Sequence, residues 1–97
     1  MTYMFIIMAD VKLKDGLESE FRDWFSESNK ILSKIDGFVS RRLLSSPDGS
    51  YRILVEHQSK DTFEKMHNSE EHAKLHATAI TFMAGPPMPS FYNVLAS

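Results

Sequence analysis

The chain has 97 residues, 42% hydrophobic and 25% charged, with a formal net charge of −2 and no cysteine. That balance makes one globular domain, residues 1–97, small enough that burial against a partner subunit would add stability. Without cysteine there are no disulfides, thiolate metal sites or cysteine nucleophiles, and with Arg41-Arg42 as the single adjacent basic pair no stripe exists to neutralise nucleic-acid phosphates.

Tyr3 to Leu13 alternates as a strand. Tyr3, Phe5, Ile7, Ala9, Val11 and Leu13 share one face, and Met4, Ile6, Met8, Asp10 and Lys12 share the other. Both faces are apolar over the first two thirds, which predicts cover on both sides. The apolar run from Tyr3 to Ala9 is far too short to span a bilayer and lacks a basic leader. No membrane association is expected, and a cytoplasmic location is.

Asp15-Gly16 breaks the strand, and Asp15 with Glu18 resembles a capping pair. Leu17, Phe21, Trp24, Phe25, Ser28, Ile31, Leu32 and Ile35 then recur at helical spacing, until Asp36-Gly37 ends the helix. Phe38 to Ser45 and Tyr51 to His57 form a hairpin about the turn Pro47-Asp48-Gly49. Ser59 caps a short helix through Met66. Asn68 or Ser69 caps a second helical stretch that runs to about Met83, with Glu70-Glu71 at its positive end. Gly85-Pro86-Pro87-Met88-Pro89 stops helix and forms a stiff link to a last strand, Phe91 to Ala96.

The order β-α-β-β-α-β predicts an α+β, ferredoxin-like fold. Right-handed crossovers put both helices on one face of a four-stranded antiparallel sheet. The other face is left open and partly apolar, which predicts a homodimer packed sheet against sheet.

The chain resembles the antibiotic biosynthesis monooxygenase family of dimeric α+β barrels. The resemblance runs through Val11-Lys12-Leu13, Asp15-Gly16, Ile35-Asp36-Gly37-Phe38 and Tyr51-Arg52-Ile53-Leu54-Val55-Glu56. It continues through Ser59, Phe63, Ser69 and the proline-containing link to the last strand. It implies oxygen-dependent oxidation of a small aromatic or hydrophobic molecule, or of heme, in a barrel cavity. The alternative is a dimer that binds heme or a small ligand without turning it over.

The candidate site residues follow. His72 and His76 stand four apart on one helix face, the spacing of a two-imidazole chelate. The glutamate of H-E-x-x-H and a third ligand are missing, so no metal site is expected. Partial similarity to the family's heme-degrading members implies His76 as an axial heme ligand. The tryptophan place of those enzymes, ten residues earlier, is Met66, and their strand-one asparagine place falls near Ala9 and Asp10. The cofactor-free branch needs a water-excluding aromatic cavity and polar groups that favour an ionised substrate. His57, His72 and Trp24 are the catalytic candidates for it. His57 shares parity with Tyr51, Ile53 and Val55 and is expected at the sheet rim. Trp24 lies on the apolar helix stripe, where packing is the ordinary role. Arg41 and Arg42 fall on opposite strand faces; solvated surface is the expected place, and the alternative puts one of them at the cavity mouth or in an intersubunit ion pair.

Overall fold

The computed structural model describes residues 3–97. The elements are β1 (Phe5–Val11), α1 (Glu18–Leu32), β2 (Phe38–Ser45), β3 (Tyr51–His57), α2 (Lys60–His67), α3 (Glu70–Ala79) and β4 (Met88–Asn93), with a 3-10 turn at Ile80–Phe82. The sheet is antiparallel throughout, in the order β2-β3-β1-β4. The helices cover the face that carries Phe5, Ile7 and Val11. The opposite face is open among the described residues and presents Ile6, Met8, Leu44, Leu54 and Tyr92. Two ion pairs cross this open face, Arg42–Glu56 at 3.0 Å and Arg52–Asp10 at 2.7 Å.

Two aromatic clusters fill the space under the helices. In the first, Phe21 packs on Trp24, Phe25 and Phe82 with ring centroids 5.5–6.0 Å apart. This cluster joins Val11, Ala79 and Met83. In the second, Phe5, Phe63 and Phe91 meet at 5.6–6.1 Å. His57 stands edge-on to Phe38 and Phe63 there, at 6.0 and 5.8 Å.

Four details depart from the sequence expectation. The Asp15–Glu18 pair does not cap α1: its N-cap is Leu17, with no side-chain cap bond, because Gly16 at φ 81° turns the chain first. The α-helix stops at Leu32, and hydrogen-bonded turns carry the chain on to Gly37. The last strand begins at Met88 rather than Phe91 and contains Pro89. β4 lies at the sheet edge, where a missing N–H need not break the ladder. Finally, β2 carries a bulge between Phe38 and Ser40. The extra residue, Val39, is 45% exposed. Beyond the bulge the alternation is shifted, so Phe38 and Arg41 both face the helices.

The capping assignments for the other helices agree with the structure. Ser59 Oγ accepts from Thr62 N at 3.1 Å, and Thr62 Oγ1 accepts from Ser59 N at 3.3 Å, a reciprocal box. Ser69 Oγ accepts from His72 N at 3.1 Å. Gly37 presses on the start of α2. Its φ is +82°, and a Cβ there would collide with the Thr62 side chain. The substitution Gly37→Ala should therefore cost about 3 kcal/mol or more, combining left-handed strain with displacement of the cap. Gly49→Ala, at φ +87° in open space, should cost only the strain, about 1–2 kcal/mol. Urea unfolding midpoints of the two variants measure the difference.

Candidate functional site

A cavity of about 280 Å³ lies between the sheet and the helices, with Trp24 on one side and Phe63 and Phe91 on the other. Ile7, Ile53, Val55 and Leu75 line most of the remainder, so the walls are chiefly apolar. An open groove of about 460 Å³ between α2 and β4 shares Phe63, His67 and Phe91 with it. The groove therefore runs up to the cavity, and a ligand crossing it meets aromatic surface first.

Four of the five site residues expected from sequence meet at this cavity. Trp24 is half-buried on its wall, Met66 is buried, His72 is half-buried and His76 is exposed at the mouth. Helical spacing accounts for this, because Met66 ends α2 facing inward and the capped start of α3 turns His72 toward the same space.

The fifth, His57, does not lie at the rim or on the cavity wall. It is completely buried in the second aromatic cluster. Thr62 Oγ1 donates to the Ser59 carbonyl at 3.0 Å, which leaves His57 Nδ1 to donate to Thr62 Oγ1 at 3.1 Å. Among the described residues His57 Nε2 then has no partner. Burial lowers the His57 pKa, so the ring is neutral and ties the end of β3 to the cap of α2.

Of the two arginines for which solvated surface was expected, Arg42 is exposed and also paired with Glu56. Arg41 instead turns inward beside the cavity, because the bulge at Val39 shifts its face. Its Cζ sits 3.9 Å from the centre of the Phe25 ring and 5.7 Å from that of Trp24. One Nη donates to Ser28 Oγ at 2.6 Å and to Asn29 Oδ1 at 2.8 Å. Asn29 Nδ2 donates back to the Arg41 carbonyl at 2.9 Å. Burial lowers the guanidinium pKa to about 10, so the group stays a cation at neutral pH.

His72 is the complementary group. Its pKa falls to about 4, first through burial and then through the positive fields of His67, His76 and Arg41. It is therefore a neutral imidazole in an apolar setting. The three α2–α3 histidines form a row, with ring centroids 4.7 Å apart from His67 to His72 and 6.0 Å from His72 to His76. Among the described residues no group of three or more His, Cys, Asp and Glu side chains is arranged to hold a metal ion. No helix there is long and apolar enough to cross a membrane. The arrangement can surround a small apolar ring and offer it a neutral imidazole as a hydrogen-bond partner.

A family model described as antibiotic biosynthesis monooxygenase matches residues 4–78. No curated protein sequence matches the chain. Among solved structures, a Bordetella bronchiseptica protein named for the same family is 15% identical with a TM-score of 0.86, over 97% of this chain and 99% of that one. A conserved protein from Methanosarcina mazei Go1 is 11% identical with a TM-score of 0.83, over 94% and 92%. A mutant of SnoaB, a cofactor-independent oxygenase from Streptomyces nogalater, is 14% identical with a TM-score of 0.83, over 97% and 95%. At these identities the likeness is one of fold.

The depressed pKa of His72 has a consequence for stability. An ordinary imidazole titrates near 6.5, whereas His72 in the fold titrates near 4. Between these values the unfolded chain takes up a proton that the folded chain refuses. Stability is thus fully present above pH 6.5 and is lost as the pH falls toward 4. Buried His57 acts with the same sign. From pH 7.5 to pH 5 the His72 contribution should amount to about 1–2 kcal/mol. His72→Asn should remove that part of the acid loss, as read by urea unfolding at the two pH values.

Proposed function

The chain belongs to the antibiotic biosynthesis monooxygenase family, and on that premise we propose that it oxidises a small aromatic molecule with dioxygen inside the cavity. The observation that carries this reading is His72, a neutral half-buried imidazole on the wall of an apolar space. A phenolic substrate stacked along Trp24 hydrogen-bonds to neutral His72. As the ring gives one electron to dioxygen its hydroxyl becomes strongly acidic, and the proton passes to His72 with that electron transfer. The radical pair then joins at a ring carbon, and the proton held on His72 returns to form a hydroperoxide. Loss of water leaves a carbonyl, so one oxygen atom enters the product and one leaves as water. All four electrons come from the substrate, and the protein supplies none. The cofactor-independent oxygenase SnoaB has the same fold, which is consistent with this chemistry.

Heme fits the site less well on two counts. A cavity near 280 Å³ is at the small end of the ~300–1,000 Å³ typical of ligand pockets, a size that suits a one- or two-ring molecule better than a macrocycle. Met66 also stands where the heme-degrading resemblance requires an indole. His76 is then a polar group at the mouth rather than an iron ligand.

We further propose that the protein is a homodimer through the open sheet face. Ile6, Met8, Leu44, Leu54 and Tyr92 supply an apolar surface, and the Arg42–Glu56 and Arg52–Asp10 pairs lie on the same face. Sedimentation at micromolar concentration should give a dimer, and Leu54→Glu should give a monomer. A monomeric native protein would contradict the proposal.

Hydroxynaphthalenes with and without a ring carboxylate, incubated under ¹⁸O₂, test the reaction. The expected product is a naphthoquinone carrying one labelled oxygen. His72→Phe should lower the rate by roughly 10²-fold, the ordinary scale for losing a positioned proton acceptor. No oxygen uptake with any member of the series, or unlabelled product, would refute the oxidation.

A further inference from the structure

We propose that Arg41 is an anion-binding group of the cavity and that the molecule bound there is a small aromatic acid, held by its carboxylate. This rests on the reading of the cavity as the substrate site and adds the charge of the substrate to it.

Three of the four arginines are paired with carboxylates. Arg22, Arg42 and Arg52 each lie within 4.0 Å of a carboxylate, from Glu18, Glu56 and Asp10. Arg41 has no carboxylate partner among the described residues, yet it is the arginine whose pKa burial depresses. A half-buried cation without a counter-charge is costly, and perturbed ionisable groups of this kind cluster at binding sites.

The geometry specifies the missing partner. Both neutral acceptors, Ser28 Oγ and Asn29 Oδ1, take bonds from the same Nη. The acceptors are themselves fixed, since Ser28 Oγ donates to the Phe25 carbonyl at 2.8 Å and Asn29 Nδ2 holds the Arg41 carbonyl. Phe25 supports the guanidinium plane from below. Nε and the second Nη make no hydrogen bond among the described residues, so one edge of the planar fork is unused. Two parallel N–H donors on such an edge match the two oxygens of a carboxylate. Trp24 lies 5.7 Å from the guanidinium carbon and Arg41 borders the apolar cavity, which suits an aromatic ring.

The competing explanation makes Arg41 only a latch between α1 and β2. Asn29→Asp separates the two. It puts a counter-charge on the Nη already bonded to residue 29, which keeps that latch contact and cancels the unpaired charge that attracts an anion, at the cost of the Nδ2 bond to the Arg41 carbonyl. Calorimetric titration of the native protein with benzoate should give binding at least about tenfold tighter than with neutral benzamide. Asn29→Asp should stay folded, as judged by its melting temperature, and lose that preference while binding benzamide unchanged. Arg41→Lys should lose about tenfold for benzoate, because an ammonium lacks the fork. Leu75→Phe, which narrows the cavity, should weaken both ligands. Equal binding of benzoate and benzamide, no benzoate binding, or a preference that survives Asn29→Asp would overturn the proposal. So would benzoate binding unaffected by Leu75→Phe, which would place the anion in the shallow depression outside α1 that Arg41 also borders. Benzoate binding in a protein that takes up no oxygen would refute the oxidation and leave the anion site standing.

Discussion

One constraint organises the interior: a guanidinium must be accommodated between α1 and β2 without a carboxylate from the chain. Arg41 meets it by lying on the Phe25 ring and giving one nitrogen to two acceptors on α1. The same bonds fix α1 on the sheet, because Ser28 and Asn29 are consecutive on one helical turn. The charge also shapes what surrounds it. Its field adds to burial in holding His72 neutral. A fixed cation and a neutral imidazole therefore border the same apolar space.

The cavity exists because the two aromatic clusters do not merge. One gathers around Phe21 where α1 meets the 3-10 turn, and the other around Phe5 and Phe63 where α2 meets β1. Each is dense enough to anchor its helix. Between them the facing side chains are shorter, among them Ile7, Ala9, Val55 and Leu75, and they do not fill the gap. His57 belongs to the second cluster by packing and by its bond to Thr62. That explains how a histidine on an apolar strand face ends up buried and neutral rather than reactive.

Much of this was legible in the sequence because it depends on local periodicity. The 3.6-residue spacing from Phe21 to Leu32 fixed the buried side of α1, and Ser59 and Ser69 marked the next two helix starts by their capping chemistry. Trp24, Met66, His72 and His76 converge because helix faces are readable from spacing alone. What was not legible depends on non-local pairing. A bulge leaves no mark in the strand pattern, so the inward turn of Arg41 was hidden behind a plausible alternation. Pro89 reads as part of the stiff link before the last strand, and only the sheet order, with β4 at an edge, shows that the strand can include it. The depth of His57 depends on how far α2 closes over the end of β3, which the close approach of Gly37 to Thr62 permits.

The central claim is that the free edge of the Arg41 guanidinium binds the carboxylate of an aromatic acid inside this cavity. Nitrogen-15 NMR of the arginine side chains during titration with 2-hydroxybenzoate observes that edge directly. The Arg41 Nε–H resonance should move downfield and exchange more slowly with water, together with a shift of the Trp24 indole, while Arg22, Arg42 and Arg52 stay in place. A titration that moves Trp24 and leaves Arg41 untouched would contradict the account.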